Sequence, residues 1–277
     1  MCDTCGCNVT PGNEHLVAHG GHLAHTASGS ESVEVLKGLL DANDHQAAHN
    51  REHFDRHGVF AVNLMSSPGA GKTALLEATI EALGTELGIG VVEGDLETEN
   101  DAVRIRAKGV PAVQISTGSA CHLDAHMVHS ALHDMELDGL DLLFIENVGN
   151  LVCPASFDLG QHVNVALLST PEGHDKPAKY PVMFRTADLV VLTKMDLAPV
   201  LGDFEPLRAE RAVRNLANAA PVIALSARKG IDLEPWQAWL RSEIAGIRAT
   251  QGTEPANTEA RHEHHHDSEM APASPRS

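Results

Sequence analysis

Aromatic side chains are scarce in this chain: six Phe, two Trp and one Tyr, 3% of 277 residues. A core must therefore be built from Val, Ile, Leu and Ala. Positive charge is short as well, with 20 Lys and Arg against 38 Asp and Glu, a net charge of −18 with His neutral. That balance argues against a phosphate backbone as partner, so no nucleic acid is expected. It suits a protein that handles cations, and equally a solvated acidic surface. Long apolar runs are missing too. No N-terminal apolar segment and no run long enough to span a bilayer occurs, so no membrane partner and a cytoplasmic location are expected. Cysteine is rare, but three of the five fall within the first seven residues. In a reducing compartment such a cluster reads as a metal site and not as a disulfide framework.

What is present divides the chain into four stretches. Residues 1–30 hold Cys2-x-x-Cys5-Gly6-Cys7, then His15, His19, His22 and His25 without a hydrophobic period, so little fixed structure is expected. Residues 31–57 read as a helix, with Val33, Leu36, Leu39 and Leu40 at helix spacing. His45, His49, His53 and His57 recur on it at four-residue steps, one slowly drifting stripe. From 58 to 250 strands and helices alternate. Strands are expected at 59–65, 89–94, 112–116, 141–146, 162–168, 188–193 and 221–225, and helices at 72–83, 99–108, 120–136, 205–218 and 234–248. Continuous apolar strands such as 142–145 and 189–192 predict an α/β fold, a mostly parallel sheet with helices on both faces. Residues 251–277, with His262, His264, His265 and His266, read as a disordered tail. The His-rich stretches read as low-affinity storage for divalent ions or as plain polar linkers.

The organising stretch is Ser66-Ser67-Pro68-Gly69-Ala70-Gly71-Lys72-Thr73. A strand leads in and a helix leads out, the setting of a phosphate-binding loop. Gly69, Ala70 and Gly71 let backbone N–H groups converge on phosphate oxygens, and Ala74 continues the helix whose positive end adds to the field. Lys72 would reach the β- and γ-phosphates and Thr73 would bind Mg²⁺. Ser66 stands where the strict pattern has Gly, a substitution small enough to keep the turn. Thr193-Lys194-Met195-Asp196 follows a buried strand, and Asp196 can accept from N1–H and N2–H₂ of guanine, a pair adenine lacks. The stem of Lys194 would lie along the base, and a backbone N–H of Ser226-Ala227 would meet O6. The nucleotide is therefore read as GTP, with Thr193 in the place of the usual Asn. Glu146 and Asp95 end two strands and are placed to serve the Mg²⁺, while the Gly149 N–H could sense the γ-phosphate.

A second set of residues points to a softer metal. Cys2, Cys5 and Cys7 supply three thiolates, a set that Zn²⁺ takes as tetrahedral and Ni²⁺ as square-planar with an amine. Cys121 and His122, expected at the start of a helix, and Cys153 give three further ligands, consistent with a site shared across a dimer. Cys153 could instead be a small core residue. His126, His129 and His133 continue that helix and read as a solvated or interface face.

Together, the N-terminal Cys cluster, the His-rich linker, the loop 66–73, Asp95, Cys121-His122 and Ile145-Glu146-Asn147-Val148-Gly149-Asn150-Leu151-Val152-Cys153-Pro154 resemble the HypB family of hydrogenase nickel-incorporation GTPases. The resemblance implies a dimerising P-loop GTPase of the SIMIBI type. It implies delivery of Ni²⁺ to the [NiFe]-hydrogenase large-subunit precursor, homodimerisation on GTP or metal binding, and a small HypA-like zinc partner. It implies metal sites at Cys2, Cys5 and Cys7 and at Cys121, His122 and Cys153. Catalysis would rest on Lys72, Thr73, Asp95 and Glu146, with slow turnover because no Gln or Arg finger is evident. The urease nickel GTPases are similar but carry a Pro between Cys and His and lack the N-terminal cluster. A P-loop ATPase and a nickel buffer with a weak GTPase are the other readings.

Overall fold

The computed structural model describes residues 30–95, 100–118 and 120–251. The Cys2–Cys7 cluster, the histidines at 15–25 and the tail after 251 lie outside the described residues.

Among the described residues, seven strands form one sheet: β1 (Phe60–Ser66), β2 (Ile89–Asp95), β3 (Ala112–Ser116), β4 (Leu142–Glu146), β5 (Val163–Ser169), β6 (Leu189–Thr193) and β7 (Val222–Ala224). Every pairing is parallel and the order is β3-β2-β4-β1-β5-β6-β7. Strands buried on both faces need no polar alternation, which is why 142–145 and 189–192 are apolar throughout. The helices are α1 (Ser30–His57), α2 (Lys72–Leu83), α3 (Asn100–Arg106), α4 (Ala125–Leu132), α5 (Lys176–Lys179), α6 (Pro181–Arg185), α7 (Ala198–Leu201), α8 (Pro206–Arg214) and α9 (Glu234–Gln251).

Because side chains alternate along a strand, each strand feeds two cores. Phe60, Val62 and Leu64 of β1 bury against Leu75, Leu76 and Ile80 of α2 and Trp236, Leu240 and Ile244 of α9. Ala61 faces the other way, in a cluster with Phe54 of α1 and Val128 and Leu132 of α4. Met65, with Leu168 and Leu192, packs on Phe184 of α6 and Val213 of α8.

α1 is fastened by buried amides. Asn50, wholly buried, donates to the carbonyls of Ala125 (2.8 Å) and Leu159 (3.0 Å). Asn43 accepts from the Ala125 N–H at 3.0 Å and donates to the Asp158 carbonyl at 2.8 Å. Arg51 holds the Asp158 carboxylate at 2.9 Å.

The helix expected at 120–136 is shorter, and Cys121 and His122 precede it. Asp124 stops it from starting earlier: its side chain accepts from the Met127 N–H at 2.7 Å and caps α4 at Ala125. The short helices α5, α6 and α7 fall below the length at which a period is readable.

Trp236 joins the sheet to the nucleotide-side helix. It is fully buried, stacks on Trp239 with centroids 5.5 Å apart, and donates Nε1–H to Thr79 of α2 at 2.9 Å. Trp236→Ala should cost about 3–5 kcal/mol of folding free energy, read as a lowered urea midpoint.

Candidate functional site

The turn between β1 and α2 has Gly71 at φ +102°, a value that an L side chain rarely adopts. Gly71 also occupies the N-cap of α2 without any side-chain acceptor, and the first turn holds no acidic residue. The first N–H groups of α2 are thereby left for an anionic ligand. A cavity of about 830 Å³ opens there. Gly69, Ala70, Gly71, Lys72, Thr73 and Ala74 line it, together with Asp95 and Glu146 at the ends of β2 and β4 and Gly149 in the loop after β4. Lys194, Asp196, Ser226 and Ala227, from the loops after β6 and β7, complete it. All the residues assigned to the nucleotide from sequence thus face one cavity, at the strand edge where ligands bind in such sheets.

Its polar floor is more crowded than the sequence suggested. Lys72 Nζ donates to Ser66 Oγ at 3.1 Å and lies 3.9 Å from Glu146 Oε1. Thr73 Oγ1 donates to the same Glu146 oxygen at 3.1 Å. Carboxylate oxygens of Glu93, Asp101 and Glu146 converge within 4.8 Å, while Asp95 lines the cavity apart from that trio. Glu93 is pushed up to about 11, first by burial and then by the adjacent Glu146, with Lys72 opposing. Burial raises Glu146 too, against Lys72, so the pair shares a proton that Glu93 keeps. Glu146 Oε2 and Glu93 Oε2 are buried without a hydrogen-bond partner. An oxygen-only set with an orphaned carboxylate oxygen beside Thr73 fits a hard cation such as Mg²⁺. Glu93 was legible only as a charge inside the apolar strand Ile89–Asp95, and Asp101 carried no signal of its own.

At the base end, Lys194 adopts φ 57° and donates to the Gly69 carbonyl at 2.5 Å. Ser226 donates a short hydrogen bond to Asp196 and orients that carboxylate. Thr193, in the place of Asn, donates to the Ala70 carbonyl at 2.6 Å and so ties β6 to the phosphate loop.

The second set comes together where the chain leaves β3 and β4. Cys121 Sγ and Cys153 Sγ lie 3.2 Å apart, and His122 Nδ1 is 3.8 Å from Cys121 Sγ. His122 is buried and stacked on Phe157 at 4.1 Å, with Nε2 unpartnered. Two sulfurs and one imidazole suit Ni²⁺ or Zn²⁺ and leave a fourth position open. Asn147, two residues before Gly149, accepts from the Leu123 N–H at 3.2 Å, and Asn150 donates to the Cys121 carbonyl at 3.2 Å. The segment between Glu146 and Cys153 therefore belongs to both sites.

Burial pushes the Cys121 thiol up to about 11, helped by Cys153, and pulls His122 down to about 4 against Asp124. The imidazole is thus neutral at pH 7 and the thiol is protonated. A metal entering here has to displace thiol protons, and below the thiol pKa each pH unit multiplies the thiolate fraction tenfold. Metal affinity at Cys121, His122 and Cys153 should rise by about tenfold per pH unit for each thiol proton displaced. Titration of the full chain with Ni²⁺ at stepped pH checks this; a flat profile contradicts it.

The model for the CobW/HypB/UreG nucleotide-binding domain matches residues 60–224. The hydrogenase maturation factor HypB of Azotobacter chroococcum mcd 1 is 50% identical over 247 residues, 88% of this chain and 79% of that protein. The HypB of Escherichia coli K12 is 45% identical over 230 residues, 80% of this chain and 79% of that one. The crystal structure of HypB from Helicobacter pylori in complex with nickel superposes with a TM-score of 0.71 at 42% identity, covering 74% of this chain and 96% of that one. Sequence, fold and loop geometry agree: the chain belongs to the HypB hydrogenase maturation factors, within the CobW/HypB/UreG nucleotide-binding family.

Proposed function

We propose that this protein is a GTP-hydrolysing nickel metallochaperone that supplies Ni²⁺ to the large-subunit precursor of a [NiFe]-hydrogenase. The observation that carries the reading is the single segment from Glu146 to Cys153. Its first residue faces the phosphate loop and its last faces Cys121. The relatives' names as hydrogenase maturation factors and the nickel in the Helicobacter pylori protein favour nickel as the cargo.

In this reading Asp196, aligned by Ser226, selects guanine through two donors that adenine cannot present together. Gly71 and the first N–H groups of α2 hold the phosphates, and Lys72 moves from Ser66 and Glu146 onto the β- and γ-oxygens. Mg²⁺, when bound, neutralises charge that develops on the transferring phosphoryl group. Thr73 and Glu146 would hold it, with Asp95 at the end of β2 lining the same cavity, while the burial that favours protonated Glu93 lessens repulsion in the metal-free floor. Gly149 lies so close to the loop that a Cβ there would be 2.8 Å from Pro68 Cα. Phosphate binding therefore moves Gly149, and with it Asn147, Asn150 and Cys153.

Two protomers, brought together by GTP or metal, fill the fourth position of the Cys121, His122 and Cys153 set. Cys2, Cys5 and Cys7 form a separate tight site for Ni²⁺ or Zn²⁺, and a HypA-like zinc protein exchanges metal with it.

The test uses hydrogenase-producing cells that rely on this protein. Asp196→Ala, which removes two hydrogen bonds to a charged group, should weaken GTP binding by roughly a hundredfold without affecting ATP. Cys121→Ala with Cys153→Ala should leave GTP binding intact. Both variants should lose hydrogenase activity at limiting nickel. Wild-type maturation by the cysteine variant would overturn the reading.

A further inference from the structure

A face of the molecule away from the nucleotide carries histidines that neither site uses. On α1, His49 and His53 are one turn apart; on α4, His129 is one turn before the capping residue His133. Four-residue spacing puts each pair on one side of its helix. The two helices then set the pairs against each other. The rings of His49 and His129 meet edge to face with centroids 5.1 Å apart, across 80 residues of sequence. His129 and His133 lie 4.9 Å apart, as do His53 and His57. His133 is close enough to His53 to act on its charge.

This packing leaves two buried ring nitrogens without a protein partner. Nδ1 of His53 and Nδ1 of His129 are buried and make no hydrogen bond. Burial comes first in pulling both imidazoles below the usual histidine range, and the neighbouring histidines add to it, with Arg56 also acting on His53. The rings are therefore neutral at pH 7, the form that binds metal. His57 is engaged elsewhere, with Asp138 at 2.8 Å.

We propose that His49 and His53 of α1 and His129 and His133 of α4 form a binding site for a divalent transition ion that clamps the two helices together. An all-imidazole set selects Zn²⁺, Ni²⁺, Cu²⁺ or Co²⁺ over Mg²⁺ and Ca²⁺. Two imidazoles four residues apart on a helix can chelate one ion, and here two such pairs face each other. The rings of His49 and His133 are exposed and can turn toward a shared ion, while half-buried His53 and His129 supply the fixed side. The clamp acts on the helix that starts three residues after His122, so its occupancy braces the segment that carries Cys121 and His122.

The site stands apart from the thiolates, and the test keeps it so. The parent is the full chain with Ala at Cys2, Cys5, Cys7, Cys121 and Cys153. Zn²⁺ is titrated against a competing chromophoric chelator, the melting temperature is read with and without Zn²⁺, and Co²⁺ reports ligand type in the visible spectrum. His49→Gln with His133→Gln changes two exposed positions and keeps the core. His53→Leu with His129→Leu changes the half-buried pair, and His45→Gln with His126→Gln is the control. The proposal expects the parent to bind one Zn²⁺ more tightly than the rest, with a Co²⁺ spectrum free of thiolate bands. It expects the 49/133 variant to weaken that ion by roughly tenfold or more and to lose the Zn²⁺-induced rise in melting temperature. The control should match the parent. If the 53/129 variant unfolds, the 49/133 variant decides alone. Unchanged Zn²⁺ affinity and melting shift in the 49/133 variant would overturn the proposal, and would leave the GTP and nickel reading untouched.

Discussion

The approach of Gly149 to Pro68 is the constraint on which the molecule's two sites depend. A Cβ at Gly149 would sit 2.8 Å from Pro68 Cα and 2.9 Å from its nitrogen, so the end of β4 and the phosphate loop are in backbone contact. Backbone cannot give way as a flexible side chain can. In the proposed coupling, a shift in one of these loops would press on the other. On the far side of the same segment, Asn147 holds the Leu123 N–H and Asn150 holds the Cys121 carbonyl. Gly149 packs on the phosphate loop, and Cys153, four positions further on, lies beside Cys121.

The parallel sheet makes this arrangement possible. Both faces of every central strand are occupied by helices, so polar chemistry is confined to the C-terminal edge. Glu146 is the last residue of β4, and Asp95 and Ser66 end β2 and β1. Among the exceptions, Glu93 is a carboxyl held two residues inside β2. Its retained proton, with Lys72 beside Glu146, keeps the buried charge of the floor near balance.

Much of this was legible in the sequence, because local signals and the global fold agree here. The loop 66–73, the apolar strands and Asp196 each carry a pattern that one chemistry explains, and the strands fall within a residue or so of where the periodicity puts them. Cys121, His122 and Cys153 were legible as candidate metal ligands by type, but their setting was not. A helix was expected to begin at Ala120, and Asp124 displaces its start to Ala125. A cap at that position looks like any helical Asp until Asn43 of α1 is seen to hold the same N–H end. Glu93 was missed because its meeting with Glu146 comes from the pairing of β2 with β4, and Asp101 because it reaches them from helix α3, neither from sequence distance. The facing of the two histidine helices was unreadable for the same reason: each stripe was visible, and their contact is tertiary.

The most direct test of the account is a reciprocal linkage measurement on the full chain. Ni²⁺ affinity is measured with and without a non-hydrolysable GTP analogue, and affinity for that analogue with and without Ni²⁺. Thermodynamic linkage obliges both ratios to be equal whatever the route, and sites coupled through one segment are expected to give roughly a 5- to 150-fold change. Equal ratios in that range are predicted. Ratios of one in both directions would mean that the segment joins the two sites in space without joining their energies.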